Sequence, residues 1–152
     1  MLKKIISGGQ TGVDRAALDA AVRVGIAHGG WIPKGRRTED GPLPSHYQLQ
    51  EMPTKEYDAR TEKNVFDSDG TLIISRGSPT GGTDYTRKMA LKHGKQLLHI
   101  DLALGQRPSD AGSLVASWIE MSHIETLNVA GPRASHDPAI YVDTLNILTH
   151  AF

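Results

Sequence analysis

Three times along the chain a short apolar run breaks into a glycine-rich loop that leads straight into helical periodicity. Lys4-Ile5-Ile6-Ser7 gives way to Gly8-Gly9-Gln10-Thr11-Gly12. From there Val13, Ala16, Ala17, Ala20, Ala21 and Val24 fall on one helical face, stopped by Gly25. Thr71-Leu72-Ile73-Ile74-Ser75 runs into Arg76-Gly77-Ser78-Pro79-Thr80-Gly81-Gly82-Thr83 and a helix reaching His93. Thr126 to Ala130 runs into Gly131-Pro132-Arg133-Ala134-Ser135. Asp137-Pro138 then reads as the cap and first-turn proline of a last helix through His150.

The intervening segments keep the same alternation. Ile26 to Ile32 is compatible with a second strand carrying Trp31, and Tyr57 to Ser68 with a helix. Gln96 to Ile100 reads as a strand. Ala111, Leu114, Val115, Trp118 and Ile119 keep a 3.6-residue period after a start at Ser109-Asp110. The strands are continuous apolar runs, so both faces of the sheet should be covered by helices. The expectation is an α/β fold: a single Rossmann-like domain over residues 1–152, built on a doubly wound parallel sheet of about five strands. Short βα connections favour the order 2-1-3-4-5, with the first and third strands side by side and the last strand outside them. Pro33 to Pro53 is a long polar loop, a length usual for functional or disordered segments.

Composition narrows the classes of function. Lys+Arg and Asp+Glu number 17 each, so there is no basic excess of the kind duplex nucleic-acid binding draws on, and no nucleic-acid partner is expected. The chain has no cysteine, which excludes disulfides, thiolate-bound metal and cysteine nucleophiles. No stretch approaches the roughly 20 apolar residues of a membrane helix. The apolar start Leu2–Ile6 stops at Ser7-Gly8-Gly9, too soon for a signal peptide, so a cytoplasmic location is the default and no membrane partner is expected.

In doubly wound sheets ligands bind beyond the carboxyl ends of the strands, where the glycine loops lie. Glycines allow close backbone approach, and helix starts offer free N–H groups and a positive dipole end, so such loops suit anions and phosphates. The spacing is neither the dinucleotide fingerprint nor a Walker motif. The candidate binding residues are Gly8, Gly9, Gln10, Thr11 and Gly12 in the first loop and Thr80, Gly81, Gly82 and Thr83 in the second. Arg133 in the third is suited to clamping a phosphate. Asp14 stands in the first turn of its helix, where the dipole favours it; it would repel a phosphate but accept from a hydroxyl or amine. Lys34 and Arg60 are further candidate cations, and Arg60, Thr61 and Asn64 share a helical face with Tyr57. Trp31 or Tyr85 would suit packing near a heterocycle. The seven histidines show no metal-ligand spacing, so no metal site is expected.

Several blocks resemble the molybdenum cofactor carrier family. They are Gly8 through Asp19, Gly29-Gly30-Trp31-Ile32-Pro33-Lys34-Gly35-Arg36-Arg37, Glu39-Asp40-Gly41, Arg60-Thr61 with Asn64-Val65, Asp67 through Ile73, Thr80 through Thr83, and Asn128 through Arg133. The resemblance implies a Rossmann-like fold, a homo-oligomer, molybdenum cofactor (a pterin with a dithiolene and a phosphate) as ligand, and proteins of molybdenum-enzyme biosynthesis as partners. The family is similar to a wider group containing lysine-decarboxylase-like proteins and cytokinin-activating nucleotide phosphoribohydrolases. The latter carry a PGGxGTxxE pattern. Here Gly82-Thr83 match its Gly-Thr, but Ser78-Pro79 replace its leading Pro-Gly and Thr86 stands where its glutamate acts. Three readings follow: a carrier or binding protein for a phosphate-bearing ligand, a nucleotide-acting hydrolase using Asp14 or Asp84 as replacement acid, and a nucleotide-sensing module.

Overall fold

The computed structural model describes residues 1–152. Its central sheet has five strands, all parallel: β1 (Lys4–Ile6), β2 (Ala27–Gly29), β7 (Gly70–Ser75), β8 (Gln96–Asp101) and β9 (Thr126–Ala130). The helices are α1 (Val13–Val24), α2 (Tyr57–Phe66), α3 (Gly81–Lys92), α4 (Pro108–Met121) and α5 (Ile140–Ala151). On one face α5 packs between α1 and α4, and on the other α2 packs against α3. The result is the Rossmann-like, doubly wound sandwich that the strand pattern predicts.

The strand order corrects the expectation. It is β2-β1-β9-β7-β8, so the last strand in sequence fills the middle of the sheet instead of its outside. Burial gives the physical reason. Leu127, Asn128 and Val129 are at most 3% exposed, as a strand bonded on both edges and covered on both faces requires. Gln96 and His99 on β8 are exposed, as suits an edge. The core behind the sheet consists of small and branched aliphatics. Ala16, Ala17, Ala20 and Ala21 let α1 lie close to Ile5, Leu127 and Val129, while Ile140, Ile147 and Leu148 bring in α5. Each such buried Leu, Ile or Val contributes about 1.5–3 kcal/mol.

The Ile26–Ile32 segment divides into β2 and β3 (Trp31–Ile32), broken at Gly30 with φ 126°. The long loop that follows is ordered. β3 pairs with β6 (Gln50–Glu51), and β4 (Arg37–Thr38) forms a hairpin with β5 (Gly41–Pro42). Leu43, Tyr47 and Leu49 bury against Leu18 of α1 and Ile32, a second small core that fixes the loop beside the first glycine turn. Asp137 does not cap the last helix. Arg76 takes its carboxylate at 3.0 Å, and α5 opens at Ile140 after a turn.

Candidate functional site

With β9 central, the loops after β1, β9 and β7 become neighbours, about 4.8 Å apart at the strand ends. They enclose one cleft of about 290 Å³, walled on its fourth side by α2. The third glycine loop, expected three strands away from the first, lies beside it.

The first turn is held together by its own side chains. Ser7 Oγ donates to the Asp14 carbonyl (2.9 Å) and accepts from Gly9 N (3.3 Å). Gln10 N donates to Asp14 Oδ2 (3.3 Å), and Gln10 Oε1 accepts from Thr11 N (3.0 Å) and Glu39 N (2.9 Å). Val13 N donates to the Pro132 carbonyl (3.3 Å). These amides are therefore already engaged, so this turn is not an open anion nest. Gly12 sits at φ 79° with the Pro132 carbonyl where a Cβ would fall, which leaves room for no other residue.

The α3 start is different. Thr80 is the N-cap residue, and its carbonyl accepts from Thr83 N (3.1 Å) and Asp84 N (3.2 Å). Its side chain makes no capping bond, and Gly81 and Gly82 face open space. The Gly81 and Gly82 amides have no main-chain partner, and with Thr83 these residues line the cleft at the positive end of the helix dipole. The third loop, Gly131 to Asp137, is anchored by Glu39. The Glu39 carboxylate accepts from the Thr11 hydroxyl, from Ser135 N (3.2 Å) and from Ser135 Oγ (2.5 Å), with Arg133 Nε 4.0 Å away. Desolvation pulls the Glu39 carboxyl upward, but the Ser135 and Thr11 bonds and Arg133 outweigh it and leave Glu39 below its ordinary value of 4.5.

From α2, Tyr57, Arg60, Thr61 and Asn64 all face the cleft at i, i+3, i+4 and i+7. Arg60 is 6% exposed; its Nη1 donates to the Gly8 carbonyl and lies 3.7 Å from Asp14 Oδ2. Asp14 is 7% exposed. Burial raises its carboxyl from 3.8 to about 6, although Arg60 and the Gln10 N–H pull the other way. Burial likewise lowers Arg60, partly offset by Asp14. The guanidinium carbons of Arg60 and Arg133 each lie 5.4 Å from the Tyr57 ring centre, and that of Arg37 lies 4.5 Å from it.

Two comparisons bear on kinship. The model of the family described as "Circularly permutated YpsA SLOG family" matches residues 5–152. The chain belongs to the circularly permutated YpsA SLOG family. This family member is also similar to a crystal structure named "Putative molybdenum carrier protein", from Syntrophus aciditrophicus. The two share 54% identity and a TM-score of 0.96, over 99% of this chain and 95% of that one. The carrier-family resemblance read from the sequence blocks agrees with it. No curated protein matches. A circular permutation moves elements between the chain ends without altering the sheet, and a last strand seated beside the first is compatible with one.

Set against the sequence-derived candidates, this SLOG-family chain brings Gly8, Gln10, Asp14, Arg60, Thr80, Gly81, Gly82, Thr83 and Arg133 to one cleft. Gly9, Thr11, Gly12 and Lys34 lie outside its wall. Gly9 abuts Ile32, Leu43 and Leu49; the Thr11 hydroxyl is taken by Glu39; Gly12 faces the third loop; and Lys34 is exposed on the long loop. Neither Trp31 nor Tyr85 borders the cleft, and Trp31 Nε1 donates instead to Asp67 (2.8 Å). Asp84 pairs with Arg87 and Lys88 outside it. Thr86 is on the wall, its hydroxyl donating to the Gly82 carbonyl (3.0 Å). Asp101 caps turns, accepting from Gly77 N (2.7 Å) and Ala103 N (2.9 Å). Sequence reasoning missed Glu39 as the anchor and Ser75, Asp58, Asn128 and Arg76 as wall residues. Glu39 and Asn128 stood in blocks that resemble the carrier family, and Arg76 opened a candidate loop.

Proposed function

We propose that this protein binds a phosphate-bearing small molecule in the cleft beyond β1, β9 and β7 and acts as a carrier or receptor for it. The observation that carries this reading is the open α3 start facing the same cavity as the arginines at 60 and 133. Free helix amides and guanidinium groups together are the usual means of holding phosphate. The name of the structural neighbour makes molybdenum cofactor the cargo to test first. No three His, Asp or Glu side chains converge, and there is no cysteine, so the metal would keep the ligand's own sulfurs. Anaerobic titration of the folded protein with isolated cofactor should give saturable binding that inorganic phosphate competes away. Absence of saturation would overturn the carrier reading.

One observation favours a second reading, turnover of a nucleotide. Asp14 is an acid inside the cleft that titrates near 6, in the range useful for proton transfer. Incubation with a panel of nucleoside phosphates would release base or phosphate if it holds. Inertness of the whole panel would dismiss it.

A further inference from the structure

The central sheet has two edges, and the chain treats them differently. β2 is three residues long and breaks at Gly30, so it offers little to an incoming strand. β8, at the other edge, runs six residues without proline or glycine and bonds β7 alone. Its outer row of main-chain N–H and C=O groups is open to pairing. The helices beside it add apolar surface. α4 buries Ala111, Val115 and Ile119 and meets α5 through Gly112, which leaves Leu114 and Met121 on the flank beside β8. α3 meets α2 through Lys92 and His93, which leaves Leu91 on its opposite flank, again beside β8. Leu104 follows the end of the strand. Half of the large apolar side chains that the fold leaves exposed therefore border this one edge, a concentration typical of a contact surface.

The charges along the strand select the occupant. Unlike Lys88 and Lys92, which pair with Asp84 and Glu62, Lys95 just before β8 meets no carboxylate. At the far end Asp101 spends Oδ1 on the Gly77 and Ala103 amides, while its Oδ2 bonds nothing in the chain. Between them lie Gln96, Leu97, Leu98, His99 and Ile100. A strand with a cation at one end, an acid at the other and an apolar middle is complementary to itself run backwards. Side chains alternate along it, so Lys95, Leu97, His99 and Asp101 share one face. We propose that β8 pairs antiparallel with β8 of a second copy of this chain, about a two-fold axis at Leu98. Leu98 then meets the partner's Leu98, Leu97 meets the partner's His99, and Lys95 meets the partner's Asp101, once at each end. The two five-stranded sheets join into one, and Leu91, Leu104, Leu114 and Met121 lie along the seam. An acidic or a basic peptide would satisfy one end of the strand only.

Light scattering after size exclusion, run on the full chain over a dilution series, tests it. The mass should rise with concentration from one 16.5 kDa chain to two, and the β8 amides should exchange more slowly in the dimer. Lys95→Glu and Leu114→Glu should each weaken the dimer roughly tenfold, with circular dichroism confirming the fold. Lys95→Glu sets acid against acid and Asp101→Lys sets cation against cation. Mixing these two variants joins unlike charges again and should restore the dimer. Val142→Glu, on the outer face of α5, should change nothing. A chain that stays single at every concentration would overturn the proposal. So would a dimer indifferent to both Lys95→Glu and Leu114→Glu, or one that Val142→Glu dissolves, since the contact would then lie elsewhere.

Discussion

Replacing Asp14 by Asn should stabilise the ligand-free protein above pH 6 and leave it unchanged near pH 4. In the unfolded chain this carboxyl ionises around 3.8; in the fold burial holds it at about 6. Between those values the folded state keeps a proton that the unfolded chain has released, so stability falls as pH rises through the window. At about 1.36 kcal/mol per pH unit the ionised carboxylate costs about 3 kcal/mol at pH 8. That figure already contains the attraction of Arg60. Asparagine keeps an oxygen to accept from Gln10 N but carries no charge to desolvate. Urea unfolding of both proteins at pH 4 and pH 8 should therefore give coincident midpoints at the lower pH. At the higher pH the variant should gain about 3 kcal/mol, or roughly 6–12 °C in Tm for a chain of this size. A variant less stable than the parent at pH 8 would refute the reasoning, since it would mean that the Asp14–Arg60 attraction exceeds the burial cost.

Gly82→Ala adds a methyl group in open space at a backbone angle any residue adopts, so stability should change by less than about 1 kcal/mol. The methyl would stand over the free amides, and phosphate affinity by titration should fall. Glu39→Gln removes the charge that holds Thr11 and Ser135, at a cost of about 1–2 kcal/mol. Hydrogen exchange at the amides of Ala134 and Ser135 should speed up selectively. Because Glu39 sits below its ordinary value, its contribution is present above about pH 4.5 and fades as the pH falls.

The elements were readable because each strand and helix is written in one local run: Ile5-Ile6, Leu72-Ile73-Ile74, and the alanine face of α1. The order of the strands was not. Nothing in Thr126–Ala130 states which edges it bonds, and the preference for short crossovers pointed outward while burial on both faces demanded the centre. The cleft was half legible for the same reason. The α2 face of Tyr57, Arg60, Thr61 and Asn64 is a helical stripe visible in the sequence, but whether it faced water or a cavity depended on where β9 stood. Glu39 meets Thr11 across 28 positions and Ser135 across 96, and no local pattern records such a meeting. The glycine turns misled in one respect. Ser7-Gly8-Gly9-Gln10 looked as free as Thr80-Gly81-Gly82, yet Gln10 and Asp14 fill the first with side-chain bonds while only the second stays open.

That difference between two similar-looking turns bears on why Asp14 is charged at all. Its main-chain carbonyl already receives Ser7, and an amide oxygen would receive Gln10 N as well as a carboxylate does. The helix-start position favours an acid by less than about 1 kcal/mol when exposed, far short of the burial cost here. Structure alone therefore gives no return on the charge. Arg60 is under the same strain from the other side, buried and drawn below its ordinary value. Two opposite charges lie 3.7 Å apart, and Asp14 Oδ1 and Arg60 Nη2 make no bond to the protein where the pair borders the cleft. A ligand that bonds both would recover energy that the empty fold forgoes, which makes this pair a larger source of affinity than the exposed cations on the loops around it.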